Sequence, residues 1–428
     1  MLGDKTYVIE YELVSPIAVG RDRILPNLKS GFSADRIVSR VNTEGLPFRK
    51  AAEVRENLTK CLDHEPEHIK EVCRHDRKLE LLASCFGKAR HRLGTLIDLL
   101  EPAKTGVIIG VGADVTAFEN YEEELLKHLN SGSIPINELF TRINDNGLKL
   151  NSVNNPYDLY SIYLAEKFKA AAFQKSVLTA CVSSTQAIAL GHDSIKNGEA
   201  EVVISGGTDS LINLLAIISF GKLGVITEST EEKSCRPFDL NRKGTLAGEA
   251  AGFVILASES FIKEHNLKPV AEILGYGNTL DAYKITAPDP EGISMTAAVK
   301  NAIEDSQISP DQIDYVLAHG TGTRHNDELE LKALGQILPH GTPVSSTKDR
   351  HGHAIAAAGI QEFCILLELM RDGYIPKNLN TKNPCQTSLD IVREDRHTNI
   401  NYALTSNFAF GGINTVLAVK NEMNEISS

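Results

Sequence analysis

Apolar and polar residues are arranged along this chain in two recurring kinds of block. Short apolar runs that are partly β-branched and bounded by glycine or polar residues are typical of buried strands, and they occupy residues 107–111, 202–205, 252–256 and 314–318. Longer stretches with apolar residues three and four positions apart predict helices, and they occupy residues 159–172, 185–196, 295–305 and 354–371. Because strands alternate with helices, the pattern predicts an α/β fold built around a central sheet.

The order of elements in the first part of the chain returns in the second part. Residues 178–205 have the pattern of a polar turn, a small-residue helix and a strand, while residues 313–323 and 344–371 again have strand, polar turn and alanine-rich helix. This parallel predicts a duplicated unit with halves at residues 1–260 and 261–428. No low-complexity tract or Pro/Gly/Ser-rich linker divides the sequence, so we expect one compact body.

The composition of the 428 residues, with 42% hydrophobic and 23% charged, is that of an ordinary globular protein. No stretch approaches the roughly 20 apolar residues of a membrane span, and the first residues lack a signal-peptide pattern, so we expect a cytoplasmic protein that does not enter a membrane. The seven cysteines are widely spaced without a C-x-x-C pair. This argues against a disulfide framework and a zinc site, and for a reducing compartment.

The formal net charge of −12 disfavours nucleic acid as a partner, because phosphate binding rests on lysine and arginine. Residues 70–92 run against this trend, with seven basic residues and three acidic ones. A solvated helix face is the simpler interpretation of such a run, and a docking face for an acidic partner is the alternative.

The first candidate for chemistry is Cys181, in the segment VLTACVSSTQAIALGHD. The sequence places this cysteine after an apolar run and directly before a helix, where the helix dipole and free amides favour a reactive thiolate. A buried structural cysteine is the alternative interpretation, and it suits the other six cysteines.

Two segments with histidine provide the next candidates. In YVLAHGTGTRHNDELE a strand ends at His319, and a turn with Thr321 and Thr323 follows. A histidine at a strand end flanked by glycines indicates a crevice, while His325 is expected on the surface.

In VSSTKDRHGHAIAAAGIQEF another polar turn carries Lys348, His351 and His353, with Glu362 nine residues beyond His353. A lone histidine here would more often be structural. Strand-end turns with Cys, His and Lys/His in one chain are instead what a cysteine-centred acyl-transfer site requires.

A fourth segment, TSNFAFGGINTVLAVK, places Phe408 and Phe410 ahead of Gly411 and Gly412. Paired glycines leave backbone amides free to donate hydrogen bonds to a ligand. On its own, this segment is better explained as a turn into a strand with two core aromatic residues.

Together these segments resemble the elongating, Cys-His-His type of β-ketoacyl-[acyl-carrier-protein] synthase, in the thiolase superfamily. The resemblance continues through CRPFDLNRKGTLAGEAAGFVIL and GNTLDAYKITAPDPEG and covers nearly the whole chain. It implies a thiolase-like fold of two duplicated halves in five layers, αβαβα. The N-terminal half, 1–260, would carry the nucleophile, and the C-terminal half, 261–428, would carry both catalytic histidines.

The implied activity is an acyltransferase reaction, a decarboxylative Claisen condensation in type II fatty-acid or polyketide synthesis. Cys181 resembles the acylated nucleophile, and His319 and His353 resemble the pair that binds the malonyl thioester carbonyl. Lys348 resembles the family's lysine and Glu330 its ion-pair partner. Asp327 and Glu362 fall on the family's supporting positions, and Thr321 and Thr323 fall on its pantetheine-binding positions. The gate positions are Ala409, Phe410 and Gly411, and the amides of Phe410 and Cys181 would form the oxyanion hole.

The resemblance also implies partners. In this family the acyl group arrives on the phosphopantetheine of an acidic carrier protein, so no further cofactor or metal is expected. The basic residues Arg74, Arg77 and Lys78 would form the docking face for that carrier. A homodimer is expected, with a heterodimer containing a homologous subunit as the alternative.

Departures from the family pattern favour a specialised branch that makes polyenes or other secondary lipids. Ala409 stands where a glycine usually precedes the gate phenylalanine, so we expect a stiffer gate. Two related enzymes fit the sequence poorly. A thiolase would need a second cysteine near the C-terminus, and an initiating synthase would need an asparagine in place of His353. A non-catalytic chain-length-factor-like subunit is the remaining alternative, although such subunits lack the nucleophile.

Overall fold

A computed structural model of the chain describes residues 4–113, 157–229, 231 and 233–423. The strands are β1 (Thr6–Ser15), β2 (Ala18–Val19), β3 (Asp35–Ile37), β4 (Lys50–Ala52), β5 (Thr105–Val111), β6 (Phe173–Val177), β7 (Val202–Ser210), β8 (Glu249–Ser258), β9 (Ala271–Leu280), β10 (Tyr315–Leu317), β11 (Pro343–Ser345), β12 (Tyr374–Ile375), β13 (Asp390–Ile391), β14 (Arg396–His397), β15 (Tyr402–Phe408) and β16 (Ile413–Asn421). The α-helices are α1 (Ile24–Lys29), α2 (Glu67–His75), α3 (Arg77–Leu99), α4 (Leu159–Phe168), α5 (Ser183–Lys196), α6 (Leu214–Lys222), α7 (Glu259–His265), α8 (Ile293–Asp305), α9 (Arg324–Ile337), α10 (Lys348–His351) and α11 (Ala358–Asp372).

The central sheet repeats one arrangement of five strands. Its order runs β13-β11-β10-β15-β16-β9-β1-β8-β7-β5-β6. In the array β6-β5-β7-β8-β1 the first three strands are parallel and the others antiparallel, and β11-β10-β15-β16-β9 follows the same rule. The two arrays join where β1 pairs with β9. The predicted α/β fold and its duplicated unit are therefore confirmed.

Two helices form a layer between the arrays. Helix α5 packs on β5 and β7 and also touches β9 and β16, while α11 packs on β8, β1 and β15. Every residue of α11 from Ala358 to Met370 is buried, as expected of a helix enclosed on all sides. Helices α3 and α4 cover one outer face and α8 and α9 the other, which gives the five predicted layers.

The predicted elements differ from the observed ones mainly at their ends. The helix predicted at 159–172 ends at Phe168, because Lys169 adopts a left-handed backbone with φ of 54°. Strands β7 and β8 extend well beyond the predicted runs, through glycines that sequence patterns treat as boundaries. Gly206 is needed inside β7, because a Cβ there would lie 2.2 Å from the carbonyl oxygen of Gly252.

The duplication also positions the candidate residues. The turn after β6 carries Cys181, and the equivalent turn after β11 carries Lys348 and His353. The turns that follow β10 and β15 carry His319 and Phe410. Since the carboxyl ends of parallel strands meet at one edge of a sheet, both halves contribute to one crevice.

Among the described helices, none combines the length and the apolar character of a membrane-spanning segment.

Candidate active site

Cys181 lies in a short 3-10 turn that joins β6 to α5. The turn begins with Ala180 at a φ of 51°, a left-handed conformation that non-glycine residues rarely adopt. Cys181 itself is only 6% exposed. Burial raises the pKa of its thiol to about 12, although Lys348 and the backbone amides of Phe410 and Cys181 act to lower it. The thiolate stabilisation predicted from the helix start is therefore outweighed by burial in the free protein.

The structure brings Cys181, His319 and His353 together. Nε2 of His353 lies 3.1 Å from Sγ of Cys181, and the two imidazole rings stand nearly perpendicular with centroids 5.1 Å apart. Their potential ligand atoms all lie within 4.8 Å of one another. Residues up to 172 positions apart in sequence thus form one cluster of a thiol and two imidazoles.

Both histidines are uncharged near neutral pH. Burial, with the positive charge of Lys348 as the next cause, holds the pKa of His319 and that of His353 well below the usual value. A neutral imidazole carries one N–H and one lone pair. The function of each ring therefore depends on which nitrogen carries the proton.

Two donors determine that choice for His319. The side-chain amide nitrogen of Asn407 lies 3.0 Å from Nδ1 of His319, and Nζ of Lys348 lies 3.2 Å from the same atom. Nδ1 is therefore the acceptor and Nε2 carries the hydrogen. A donor N–H at Nε2 suits a developing negative oxygen and does not suit a metal ion, which needs the lone pair.

Lys348 is fully buried and forms an ion pair with Glu362, which is fully buried as well. The ammonium also donates to the carbonyl oxygen of His319 at 2.6 Å. The predicted pairing of Lys348 with Glu330 is wrong. Glu330 instead accepts hydrogen bonds from the amides of His319 and Gly320, both at 2.7 Å, because α9 places its carboxylate under the backbone of this turn.

The burial of Glu330 raises the pKa of its carboxyl to about 7. The Glu330 carboxylate also accepts a hydrogen bond from the Ser406 hydroxyl at 2.8 Å, which links the His319 turn to β15. Asp327 supports the same turn, since its carboxylate accepts from the amides of Phe238 and Gly322. The hydroxyls of Thr321 and Thr323 lie 2.8 Å apart beside it. His325 is exposed, as predicted.

A cavity of about 430 Å³ opens beside Cys181 and the two histidines. Cys181, His319, His353, Thr321 and Thr323 line it, together with Phe408, Ala409 and Phe410. Its remaining walls are largely apolar. A ligand in this cavity can therefore contact Cys181.

The loop after β15 forms one wall of this cavity. The ring of Phe410 stacks on Phe220 with centroids 6.4 Å apart. Gly411 and Gly412 have φ values of 85° and 76° and need glycine. Ala409 is not among the residues with positive φ, so its methyl group causes no backbone strain, and the expected stiffening of the gate stays a prediction.

The prediction that Arg77 and Lys78 belong to a docking face is wrong, because both side chains are buried. Arg77 donates to the buried Glu249 at 2.6 and 2.9 Å, and Lys78 lies over the ring of Tyr160. An interior carboxylate requires such a partner, so the first turn of α3 faces inward. Of the three, only Arg74 is exposed, and it pairs with Glu67 and Glu71 on its own helix.

Sequence reasoning missed two supporting residues. Asn407 precedes the gate loop, within a segment that drew attention for its glycines. Arg242, only 2% exposed, donates to the carbonyl oxygens of Thr323 and Arg324. Its position in the segment NRKG could have indicated a buried cation, but no local pattern identifies its partners.

Comparison with known proteins identifies two families along the chain. The family described as Beta-ketoacyl synthase, N-terminal domain, matches residues 8–261, and Beta-ketoacyl synthase, C-terminal domain, matches residues 270–382. A 3-oxoacyl-[acyl-carrier-protein] synthase 2 from Coxiella burnetii is 29% identical over 417 residues, which cover 95% of this chain and 96% of the relative. A putative mitochondrial 3-oxoacyl-[acyl-carrier-protein] synthase from Schizosaccharomyces pombe is 32% identical over 337 residues, which cover 76% of each chain.

Solved structures give the same picture for the fold. The structure described as the ishigamide ketosynthase/chain length factor superposes with a TM-score of 0.81 at 24% sequence identity, over 98% of this chain and 99% of that chain. At this level of identity the likeness shows a shared fold.

The inward role of Arg77 can be tested by a matched pair of substitutions. Arg77→Met leaves the Glu249 carboxylate buried without its cation, and we expect a loss of about 3–5 kcal/mol in the free energy of unfolding. Arg74→Met removes an exposed cation of the same run and should leave the urea midpoint unchanged. Equal midpoints for the two variants would show that Arg77 is not an interior ion-pair partner.

The raised pKa of Cys181 predicts a distinct pH dependence of alkylation. Only the thiolate reacts, so the rate with iodoacetamide should rise about tenfold per pH unit between pH 7 and pH 9. Peptide mapping by mass spectrometry at each pH measures this rate, with Cys181→Ala to separate the other cysteines. A rate that reaches a plateau below pH 8 would contradict the dominance of burial.

Proposed function

Because this chain belongs to the β-ketoacyl synthase family, we propose that it is a 3-oxoacyl-[acyl-carrier-protein] synthase of type II fatty-acid or polyketide synthesis. It would join an acyl group on Cys181 to a malonyl unit on a carrier protein. The observation that carries the proposal is the distance of 3.1 Å between His353 Nε2 and Cys181 Sγ. The N–H of His319 lies beside this pair, and all three residues line one cavity.

The first step transfers the acyl group to the protein. Sγ of Cys181 gives its proton to Nε2 of His353 and attacks the carbonyl carbon of the acyl thioester. The amides of Cys181 and Phe410, which already act on the sulfur, hold the oxyanion of the tetrahedral intermediate. When the intermediate collapses, the C–S bond to the carrier breaks, and the departing thiolate takes the proton back from His353.

The second step forms the new bond. The carboxylate of the malonyl thioester leaves as CO2, and the electron pair of the broken C–C bond moves into an enolate. The Nε2 hydrogen of His319 stabilises the enolate oxygen. The enolate carbon attacks the acyl carbonyl on Cys181, the C–S bond breaks, and the cysteine thiolate takes up a proton from solvent. The electrons come from the malonyl carboxylate, so the proposed reaction needs no metal or redox cofactor.

His353 is suited to a changing role in these steps. Its Nδ1 is buried and has no hydrogen-bond partner among the described residues. No neighbour in that part of the chain therefore holds the ring in one tautomer. The ring can accept a proton from Cys181 in the first step and present Nε2–H in the second.

The edge of the sheet supports a dimer. Strand β6 is the last strand and pairs only with β5 within the described part of the chain, and Leu178 beyond it is 46% exposed. An open strand edge favours pairing with a second subunit. We propose a homodimer, or a heterodimer with a homologous subunit like the ketosynthase and chain length factor named above. Cys181 and both histidines argue against a non-catalytic role for this chain.

All seven cysteines are within the described residues, and each is a free thiol. This supports the proposed location in a reducing compartment, the cytoplasm.

The docking surface for the carrier is reassigned to the rim of the cavity. Lys243 and Arg324 line the cavity and are exposed, and neither forms an ion pair with a carboxylate among the described residues. An acidic carrier must sit over this rim if its phosphopantetheine arm is to reach Cys181. Opposite charges there would raise the rate of encounter and guide the arm.

Charge reversal at the rim tests this assignment. We expect Lys243→Glu combined with Arg324→Glu to raise the KM for acyl-carrier substrates about tenfold at low salt, with less effect at high salt. Lys263→Glu, on the outer helix α7, is the control and should leave KM unchanged. An unchanged KM in the double variant would place the carrier elsewhere, and N-acetylcysteamine thioesters would separate docking from chemistry.

The proposed reaction itself is tested by mass spectrometry of the purified protein after incubation with a panel of acyl-carrier thioesters. We expect an acyl adduct on Cys181 that is absent in Cys181→Ala, and release of a 3-oxoacyl product once malonyl-carrier is added. If wild type forms no adduct with any thioester of the panel, the partner-dependent, non-catalytic role is favoured instead.

A further inference from the structure

Asn407 lies at the end of β15, fully buried beneath the His319 ring. Its side-chain nitrogen lies 3.0 Å from Nδ1 of His319 and 2.7 Å from Oε2 of Glu362. Its side-chain oxygen accepts from the hydroxyl of Thr185 in α5. This one amide therefore touches the helix of the nucleophile, the ion pair of Lys348, and the first histidine.

The orientation of the amide follows from its partners. An ionised carboxylate only accepts hydrogen bonds, so the atom facing Glu362 must be the nitrogen. That nitrogen has two hydrogens, and the second one points to Nδ1 of His319. The amide oxygen then faces the Thr185 hydroxyl, which can donate. All three contacts are satisfied in one orientation only.

The fold leaves room for the contact between the Asn407 side-chain oxygen and the Thr185 hydroxyl. A Cβ on Gly359 of α11 would lie 2.0 Å from the Thr185 hydroxyl oxygen and 3.1 Å from the Asn407 side-chain oxygen. The glycine thus permits the amide to sit between α5 and α11. Lys348 is the other donor to Nδ1, but its ammonium also serves Glu362 and the His319 carbonyl, and its distance to Nδ1 is longer at 3.2 Å.

We infer that Asn407 is a positioning residue for the decarboxylation step, which it serves by holding His319 with its hydrogen on Nε2. The inference rests on the proposed function. In that step the C–C bond to the malonyl carboxylate breaks, CO2 leaves, and the electron pair moves toward the thioester oxygen, where Nε2–H must already be a donor. Acyl transfer to Cys181 uses His353 and two backbone amides, whereas the side chain of Asn407 hydrogen-bonds to Thr185, His319 and Glu362.

The two half-reactions can be measured separately. Acylation of Cys181 is followed by mass spectrometry, and decarboxylation by the release of CO2 from malonyl-carrier. Asn407→Leu removes the donor, and we expect decarboxylation to fall about tenfold. Asn407→Asp replaces the donor by an acceptor, draws the proton to Nδ1, and should lower decarboxylation about 100-fold. Acylation should stay within about twofold of wild type in both variants.

Asn421→Leu is the matched control, because Asn421 is another buried asparagine whose amide nitrogen donates to the carbonyls of Met370 and Ile400, away from the cavity. It should lower stability while both half-reactions keep their wild-type rates. A parallel loss of acylation and decarboxylation in the Asn407 variants would overturn the inference, since it would indicate a purely structural role. Unchanged decarboxylation in both variants would overturn it as well.

Nitrogen NMR of the imidazoles gives a readout that needs no activity. The His319 signals, assigned by their loss in His319→Ala, should show the proton on Nε2 in wild type and on Nδ1 in Asn407→Asp. A proton on Nδ1 in wild type would overturn the inference directly. Wild-type protein that neither acylates nor decarboxylates would reject the proposed function instead, and the NMR result would still decide the role of Asn407.

Discussion

The buried ion pair between Lys348 and Glu362 is the interaction on which the rest of the site depends. Both side chains are fully buried, and an unpartnered charge in such a place would be strongly destabilising. The pair is stable because the ammonium and the carboxylate also form hydrogen bonds to other buried groups. The ammonium also donates to the His319 carbonyl, and the second carboxylate oxygen accepts from Asn407. The positions of three strand-end turns are thereby linked by one hydrogen-bonded network.

Burial, with this ion pair as the second influence, determines the protonation state of Cys181, His319 and His353. The positive charge of Lys348 acts with burial to keep the pKa values of His319 and His353 low, while burial raises the pKa of Cys181. The free protein therefore holds a thiol and two neutral imidazoles. Charge develops only when a substrate reacts, and the amides and the N–H of His319 are already oriented toward it.

The duplicated fold explains how such a network can be assembled from distant parts of the chain. Each half directs its strand-end turns to the same edge of the sheet. Cys181 comes from the array that contains β6, and His319, His353 and Lys348 come from the array that contains β10 and β11. Helices α5 and α11 are enclosed between the arrays and hold these turns rigidly, and small residues such as Gly359 let them approach closely.

The sequence by itself determined the α/β class, the repeated order of elements, and the choice of Cys181, His319 and His353 as candidates. These features are recorded locally, in periodicity and in the residues that follow a strand. Only the tertiary structure decided which charges pair: Glu362 with Lys348 in place of Glu330, and Arg77 with Glu249, 172 residues apart, in place of solvent. It also placed the Asn407 amide against His319 and Glu362. Pairing depends on distances between residues that are remote in sequence, and a charge inside a helix looks the same to local patterns whether it faces water or a buried carboxylate.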